Sequence, residues 1–143
     1  VRSIFLFLGI GSGVFLIDQG IKELFLQGYE WQSRCISLQL HLNRGVAFSM
    51  FAFLGEYLKW IQALLISAMA YYLFAKNLIR VHPISSGALL AAAISNLYDR
   101  FSTAAVVDYI YWHCGFDFAI FNFADLTIDL SLIALYILTL GEL

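Results

Sequence analysis

Four stretches of this chain are long and apolar enough to cross a lipid bilayer, and nothing else in the sequence restricts it as strongly. A span needs about 20 mostly apolar residues to cover the hydrocarbon core. The runs cover about residues 4–26, 57–74, 84–107 and 116–140, the third being strongest as far as Leu97. The expected fold class is therefore an all-α membrane protein with four transmembrane helices. The first run reads as a span and not as a cleavable signal peptide, because Asp18 and Lys22 interrupt it and no small-residue cleavage site follows. Its Gly9 and Gly13 make a single GxxxG, which could bring helices close but is too weak to carry a function.

Composition enters as a check on that reading. Hydrophobic residues make up 62% of the chain and charged residues 13%, against about a quarter charged in ordinary soluble domains. A length of 143 residues suits one domain, residues 1–143. A net charge of -2 and the lack of any basic run argue against a nucleic-acid partner. Cys35 and Cys114 are too few for a disulfide framework or a zinc cluster. They are expected as two unpaired thiols, with a single bridge possible.

The one long polar connection lies between the first two spans. Within "CISLQLHLNRGVAFSMF", Ile36, Leu38, Leu40 and Leu42 alternate with Ser37, Gln39, His41 and Asn43, the period of a half-buried strand. A small β-sheet resting on the membrane surface, about residues 33–52, fits this pattern, with a turn at Asn43-Arg44-Gly45. The short loop 75–83 carries Lys76 and Arg80, and residues 100–116 form a second polar stretch that includes Asp108. The dense positive charge of the short loop, with Arg2, places both termini in the cytoplasm. Arg34, Arg44, Lys59 and Arg100 would then face outward, so charge alone gives only a lean.

Polar residues inside the apolar runs are the functional signal, since an intramembrane carboxylate costs roughly 2.5–3.5 kcal/mol on insertion scales. Asp18 and Lys22 stand at i,i+4 and can pair as a structural unit. "SNLYDR" places Asn96 and Asp99 three apart beside Arg100, and "FNFADLTIDL" repeats the arrangement with Asn122 and Asp125, followed by Asp129. Between them "AVVDYIYW" offers Asp108 in an apolar surround. Two carboxylates sharing one site hold one proton between them, which lets one activate water while the other polarises a carbonyl. Asparagine amides can hold such a pair without adding charge. No span carries a metal-binding histidine pair such as HExxH, so no metal or cofactor is expected. Ser49, Ser95 and Ser102 have no base in register. Proton- or cation-coupled transport is the competing reading, because carboxylates in spans also mark ion paths. On symmetry alone the pair would be Asp99 and Asp125.

The chain resembles the bacterial lipoprotein signal peptidases, the signal peptidase II family, over nearly its whole length. "DQGIK" (Asp18–Lys22), "NRGVAFS" (Asn43–Ser49), "NLYDR" (Asn96–Arg100), "VVD" (Val106–Asp108) and "FNFAD" (Phe121–Asp125) follow the family's motifs in order and close to their spacing. The resemblance implies that Asp108 and Asp125 are the catalytic dyad. It makes Asn96, Asp99, Arg100 and Asn122 supporting groups and Asn43, Arg44 and Gly45 part of the substrate-facing surface. The residues agree with that choice over Asp99, which has Arg100 adjacent; a salt-bridged carboxylate stays ionised and shares protons poorly.

By the same resemblance, the implied activity is that of an intramembrane aspartic endopeptidase. It would remove the signal peptide from prolipoproteins on the N-terminal side of their diacylglyceryl-modified cysteine. The implied location is the bacterial cytoplasmic (inner) membrane, with the site near the extracytoplasmic face, membrane lipids around it and globomycin-like cyclic peptides as inhibitors. The chain departs from the family pattern in three ways. "ALLAAAIS" supplies alanines and Ser95 where glycines are usual, so helix packing there is expected to differ. The chain starts at Val1 and stops at Glu142-Leu143 with no basic tail, as expected of a sequence trimmed at one or both ends. Asp129 lies outside the motif, and its expected role is a protonated or Lys22-paired structural aspartate.

Overall fold

The computed structural model describes residues 1–141, the side chain of Ala47 excepted; Glu142 and Leu143, which fall in the expected single domain and its non-basic end, lie outside the described residues. Five helices and three strands follow in the order α1 (Arg2–Leu26), β1 (Trp31–Gln32), β2 (Ile36–Asn43), α2 (Tyr57–Ala75), α3 (Leu78–Val81), α4 (Pro83–Ser102), β3 (Val106–Trp112) and α5 (Phe123–Leu140). Two 3₁₀ turns, Ala47–Ser49 and Ala52–Leu54, join β2 to α2. By length and composition, α1, α2 and α5 can each cross a membrane. Their outer faces present large apolar side chains; Leu64, Leu130 and Ile137 are 69%, 66% and 61% exposed. Surfaces of that kind are stable against lipid tails and not against water.

Helix α4 is the internal member. Its 20 residues bury Ser86, Ser95, Asn96, Asp99 and Arg100 beside Leu89 and Leu90, and it packs against α1, α5 and α2. Pro83 sits in its first turn, where a missing N–H costs nothing. The expected alanines are part of the contact: Ala91, Ala92 and Ala93 are buried. The close approach of α1 to α4 is made by glycines other than the expected pair. A Cβ on Gly87 would stand 2.6 Å from the Phe7 carbonyl oxygen, and Gly11 faces Gly87. Gly9 and Gly13 have nothing within 4 Å of a Cβ position, so the GxxxG spacing does not form this interface. Away from the sheet, Leu73, Leu78, Leu89, Leu90 and Leu135 make the apolar core.

The sheet has the order β1-β2-β3, antiparallel throughout. The strand expected from the alternation is β2. Its main partner, however, comes from the connection between α4 and α5 and not from the loop between the first two spans. The third apolar run therefore ends as helix at Ser102. Thr103 donates its N–H to Asp99 O at 2.7 Å, Ala104 takes a φ of 60°, and the chain reaches 106–107 as strand. Similarly, the fourth run is helical from Phe123 and not from Phe116: Phe121 is bridged to Ile110, so the residues before Asn122 run back along β3.

Strand pairing also corrects the reading of the cysteines. With Ile36 opposite Trp112, the residues just outside these two are brought together, and Cys35 and Cys114 form a disulfide with Cα atoms 4.4 Å apart. The pairing register shifts between Leu38 and His41, which places His41 opposite Asp108. Such a bulge re-aims side chains locally.

Candidate active site

Asp108 and Asp125 reach the same cleft from different elements, one from β3 and the other from the first turn of α5. The cleft has a volume of about 370 Å³, and both carboxylates line it together with Asn43, Asn96 and Arg100. Asn122 connects the two acids. It caps α5, accepting the Asp125 N–H at 2.9 Å, while the Asp125 Oδ2 accepts the Asn122 backbone N–H at 2.9 Å. This reciprocal capping box fixes the Asp125 side chain through the start of its own helix. The Asn122 amide then donates to Asp108 Oδ1 at 2.8 Å and to Asn96 Oδ1 at 3.1 Å.

The remaining carboxylate oxygens also meet amides. Asn43 Nδ2 donates to Asp108 Oδ2 at 3.0 Å, and Asn96 Nδ2 donates to Asp125 Oδ1 at 2.9 Å. Asn43 is held in turn by Gly45, whose N–H donates to Asn43 Oδ1 at 2.9 Å. Only glycine fits there, because a Cβ would come within 2.2 Å of the Met50 carbonyl oxygen. Arg100 donates to the Gly45 carbonyl and, through Nε, to Gln62 Oε1 at 2.6 Å. Burial, followed by the nearby Asp125 charge, pushes the Asp108 carboxyl up to about 7, although hydrogen bonds from Asn43 and Asn122 oppose the shift.

The other two buried aspartates are wired differently. Lys22 is 1% exposed and pairs with Asp18 at 2.6 Å and Asp99 at 2.7 Å, while its ammonium also donates to Asn96 Oδ1 at 2.8 Å. The expected Asp18–Lys22 pair is thus present, but the cation beside Asp99 is Lys22 and not Arg100. Asp99 also accepts the Val107 N–H at 3.1 Å and Gln19 Nε2 at 2.9 Å. Asp18 accepts Ser95 Oγ at 2.6 Å and the Ala124 N–H at 3.0 Å. These groups anchor β3 and α5, the two elements that carry Asp108 and Asp125.

The Lys22 pairing expected for Asp129 does not occur. Asp129 is exposed and lines the cleft with Asp125 and Asp108, whereas the acceptors of Lys22 are Asp18, Asp99 and Asn96. The Arg44 side chain lines a separate surface pocket with Glu56, Lys59 and Arg100. Gln62, Phe118 and Ile120 belong to the cleft wall, and the only sign of them in the sequence is a lone glutamine in an apolar run for the first. Among the described residues, no three His, Cys, Asp or Glu side chains converge closely enough to hold a metal ion.

Fold and site together define a helical membrane protein whose polar centre is a carboxylate cleft beneath a small sheet. Residues 10–141 match the family model described as Signal peptidase (SPase) II. A lipoprotein signal peptidase of Sulfurovum sp. (strain NBC37-1) is 56% identical over 131 residues, covering 92% of this chain and 90% of that protein. A second, from Sulfurimonas denitrificans, is 49% identical over 138 residues, covering 96% and 90%. A bacterial membrane enzyme solved by the in meso method at 2.3 Å resolution superposes with a TM-score of 0.79 at 25% identity, covering 95% of this chain and 88% of that one. The chain belongs to the signal peptidase II family, and it is a multi-pass membrane peptidase.

Proposed function

We propose that this chain is an aspartic endopeptidase that removes signal peptides from prolipoproteins, cutting on the N-terminal side of a diacylglyceryl-modified cysteine. One observation carries the reading. Asp108 and Asp125 share a cleft and, among the described residues, accept only amide N–H donors, with no cation within salt-bridge distance, while Asp18 and Asp99 are both paired to Lys22. A pair held this way can share a proton. Asp108 is the proton-bearing partner and polarises the scissile carbonyl. Asp125 takes a proton from water, whose oxygen attacks the carbonyl carbon. Collapse of the tetrahedral intermediate breaks the C–N bond, and the proton passes to the departing cysteine nitrogen.

All four long helices, α4 included, cross the bacterial cytoplasmic membrane in this reading, with the sheet on the extracytoplasmic side. The Cys35–Cys114 disulfide supports that side, since such bonds persist in oxidising compartments. Asp125 lies in the first turn of α5, about 3 Å below its start at 1.5 Å per residue. That depth keeps the acids near water while the lipid chains of the substrate stay in the bilayer. Globomycin-like cyclic peptides would inhibit by filling the same cleft.

The test is incubation of purified protein in detergent with a diacylglyceryl-modified precursor peptide, with products identified by mass spectrometry. Cleavage before the modified cysteine is expected, and it should be abolished in Asp108→Asn and in Asp125→Asn. Full activity in either variant would overturn the dyad. No cleavage without a transmembrane gradient, combined with gradient-driven cation uptake in vesicles, would favour transport instead.

A further inference from the structure

The cleft lining also includes two side chains at similar distances from the sheet-side ends of α2 and α5. Gln62 lies five residues after the start of α2 and Asp129 six after the start of α5, roughly 8 and 9 Å along helices that begin on the sheet side. Both line the cleft that holds Asp108 and Asp125. Gln62 uses its oxygen to accept from Arg100, which leaves its amide N–H groups without an acceptor among the described residues. The Asp129 side chain has no hydrogen bond or ion pair among the described residues, and both buried cations of the bundle are engaged elsewhere, Lys22 by three other oxygens and Arg100 by Gln62 and the Gly45 carbonyl. The surrounding wall is apolar, with Val46, Phe118 and Ile128.

We infer that Gln62 and Asp129 form a backbone clamp for the signal-peptide segment just upstream of the scissile bond. The inference rests on the proposed peptidase function and extends it to substrate binding. A peptide crosses the bilayer as a helix because every backbone group must be satisfied internally. Attack on one carbonyl requires that helix to open locally, which frees N–H and C=O groups where water is scarce. Each such group left unpaired is costly. The cleft therefore has to offer one acceptor and one donor on the membrane side of the acids. Asp129 supplies the acceptor for a freed N–H, and the Gln62 amide supplies the donor for a freed carbonyl. Asp129 is a substrate-positioning residue here and takes no part in proton transfer.

The experiment combines variants with backbone-modified substrates in lipid nanodiscs. Asp129→Leu should raise KM about tenfold with kcat changed less than twofold, and Asp129→Asn, which keeps a carbonyl acceptor, should restore KM. Peptide affinity is then measured in the non-cleaving Asp125→Asn background, with single N-methyl groups placed in turn along the residues preceding the cysteine. At one position, N-methylation and Asp129→Leu should be strongly non-additive, because each removes the same hydrogen bond. Additive effects at every position, or an Asp129→Asn variant as impaired as Asp129→Leu, would overturn the clamp. Coupled binding in a protein that does not cleave would refute the peptidase reading alone, and cleavage with fully additive binding would refute the clamp alone.

Discussion

Replacing Asp108 by asparagine should make the stability of the protein respond to pH in the opposite sense from removal of a salt-bridged carboxylate, whose pKa is depressed. In the folded protein Asp108 keeps its proton up to about pH 7, whereas the ordinary value is 3.8. Between those values the folded state binds the proton more tightly than the unfolded chain, so parent stability falls as pH rises through that window. The gap corresponds to about 4 kcal/mol in total. Asparagine avoids that loss but introduces another. Both Asp108 oxygens accept amide N–H groups, from Asn43 and Asn122, and an asparagine has only one oxygen to offer. One donor then faces another donor, at roughly 1–3 kcal/mol. Asp108→Asn should thus be less stable than the parent by roughly 1–3 kcal/mol near pH 4, as that unmet donor dictates. It should be more stable above pH 7. The assay is reversible unfolding in mixed micelles from pH 4 to 8, followed by tryptophan fluorescence. A stability difference that stays constant across the range would refute the reasoning, as would one that grows in the other direction.

Lys22→Met should destabilise the protein by roughly 3–5 kcal/mol, because it strands two buried carboxylates; the loss should show as low yield and lowered thermal stability in detergent. Gly87→Ala should cost roughly 1–3 kcal/mol through overpacking against the Phe7 backbone, whereas Gly9→Ala, facing open space, should leave the melting temperature unchanged. Cys35→Ser should lower stability by roughly 2–4 kcal/mol and remove any effect of reductant on the parent's melting temperature. Chelators should leave peptide cleavage unaltered; loss of cleavage in EDTA, restored by a divalent ion, would point to a metal.

The legible parts of the sequence were those written in local pattern. Long apolar runs gave the helices, and alternation from Ile36 to Asn43 gave β2, because one face of that strand is buried and the other is not. Strand β3 was hidden for a physical reason: Val106, Val107, Asp108 and Tyr109 are all buried, so no period of two is left to read, and only the β-branched and aromatic content hinted at it. The start of α5 was blurred in the same way, since Phe116 to Phe121 is as apolar as a helix but spends its hydrogen bonds on β3. The Asn122–Asp125 spacing reads in the sequence only as two groups on one helical face. Its meaning as a capping box depends on Asn122 being extended, which no composition reveals. Partner choice was the least readable feature: Lys22 reaches Asp99 across 77 positions, and the neighbouring Arg100 turns away to Gly45.

The Cys35–Cys114 bridge has a consequence for how the molecule is made. Its two sulfurs are separated by 79 positions in the chain, and α2, α3 and α4 all lie between them. In the proposed four-span topology Cys35 emerges early and has to wait while α2 and α4 are threaded through the membrane and the chain returns to the same side. In that topology the bond would record the completion of an insertion event. A ribosome-bound chain halted before α4 has entered would carry a free Cys35, and one with its topology inverted at α2 would present the two thiols to opposite compartments. Thiol accessibility in the growing chain would thus report when, and in which orientation, the proposed crossings of α2 and α4 are made.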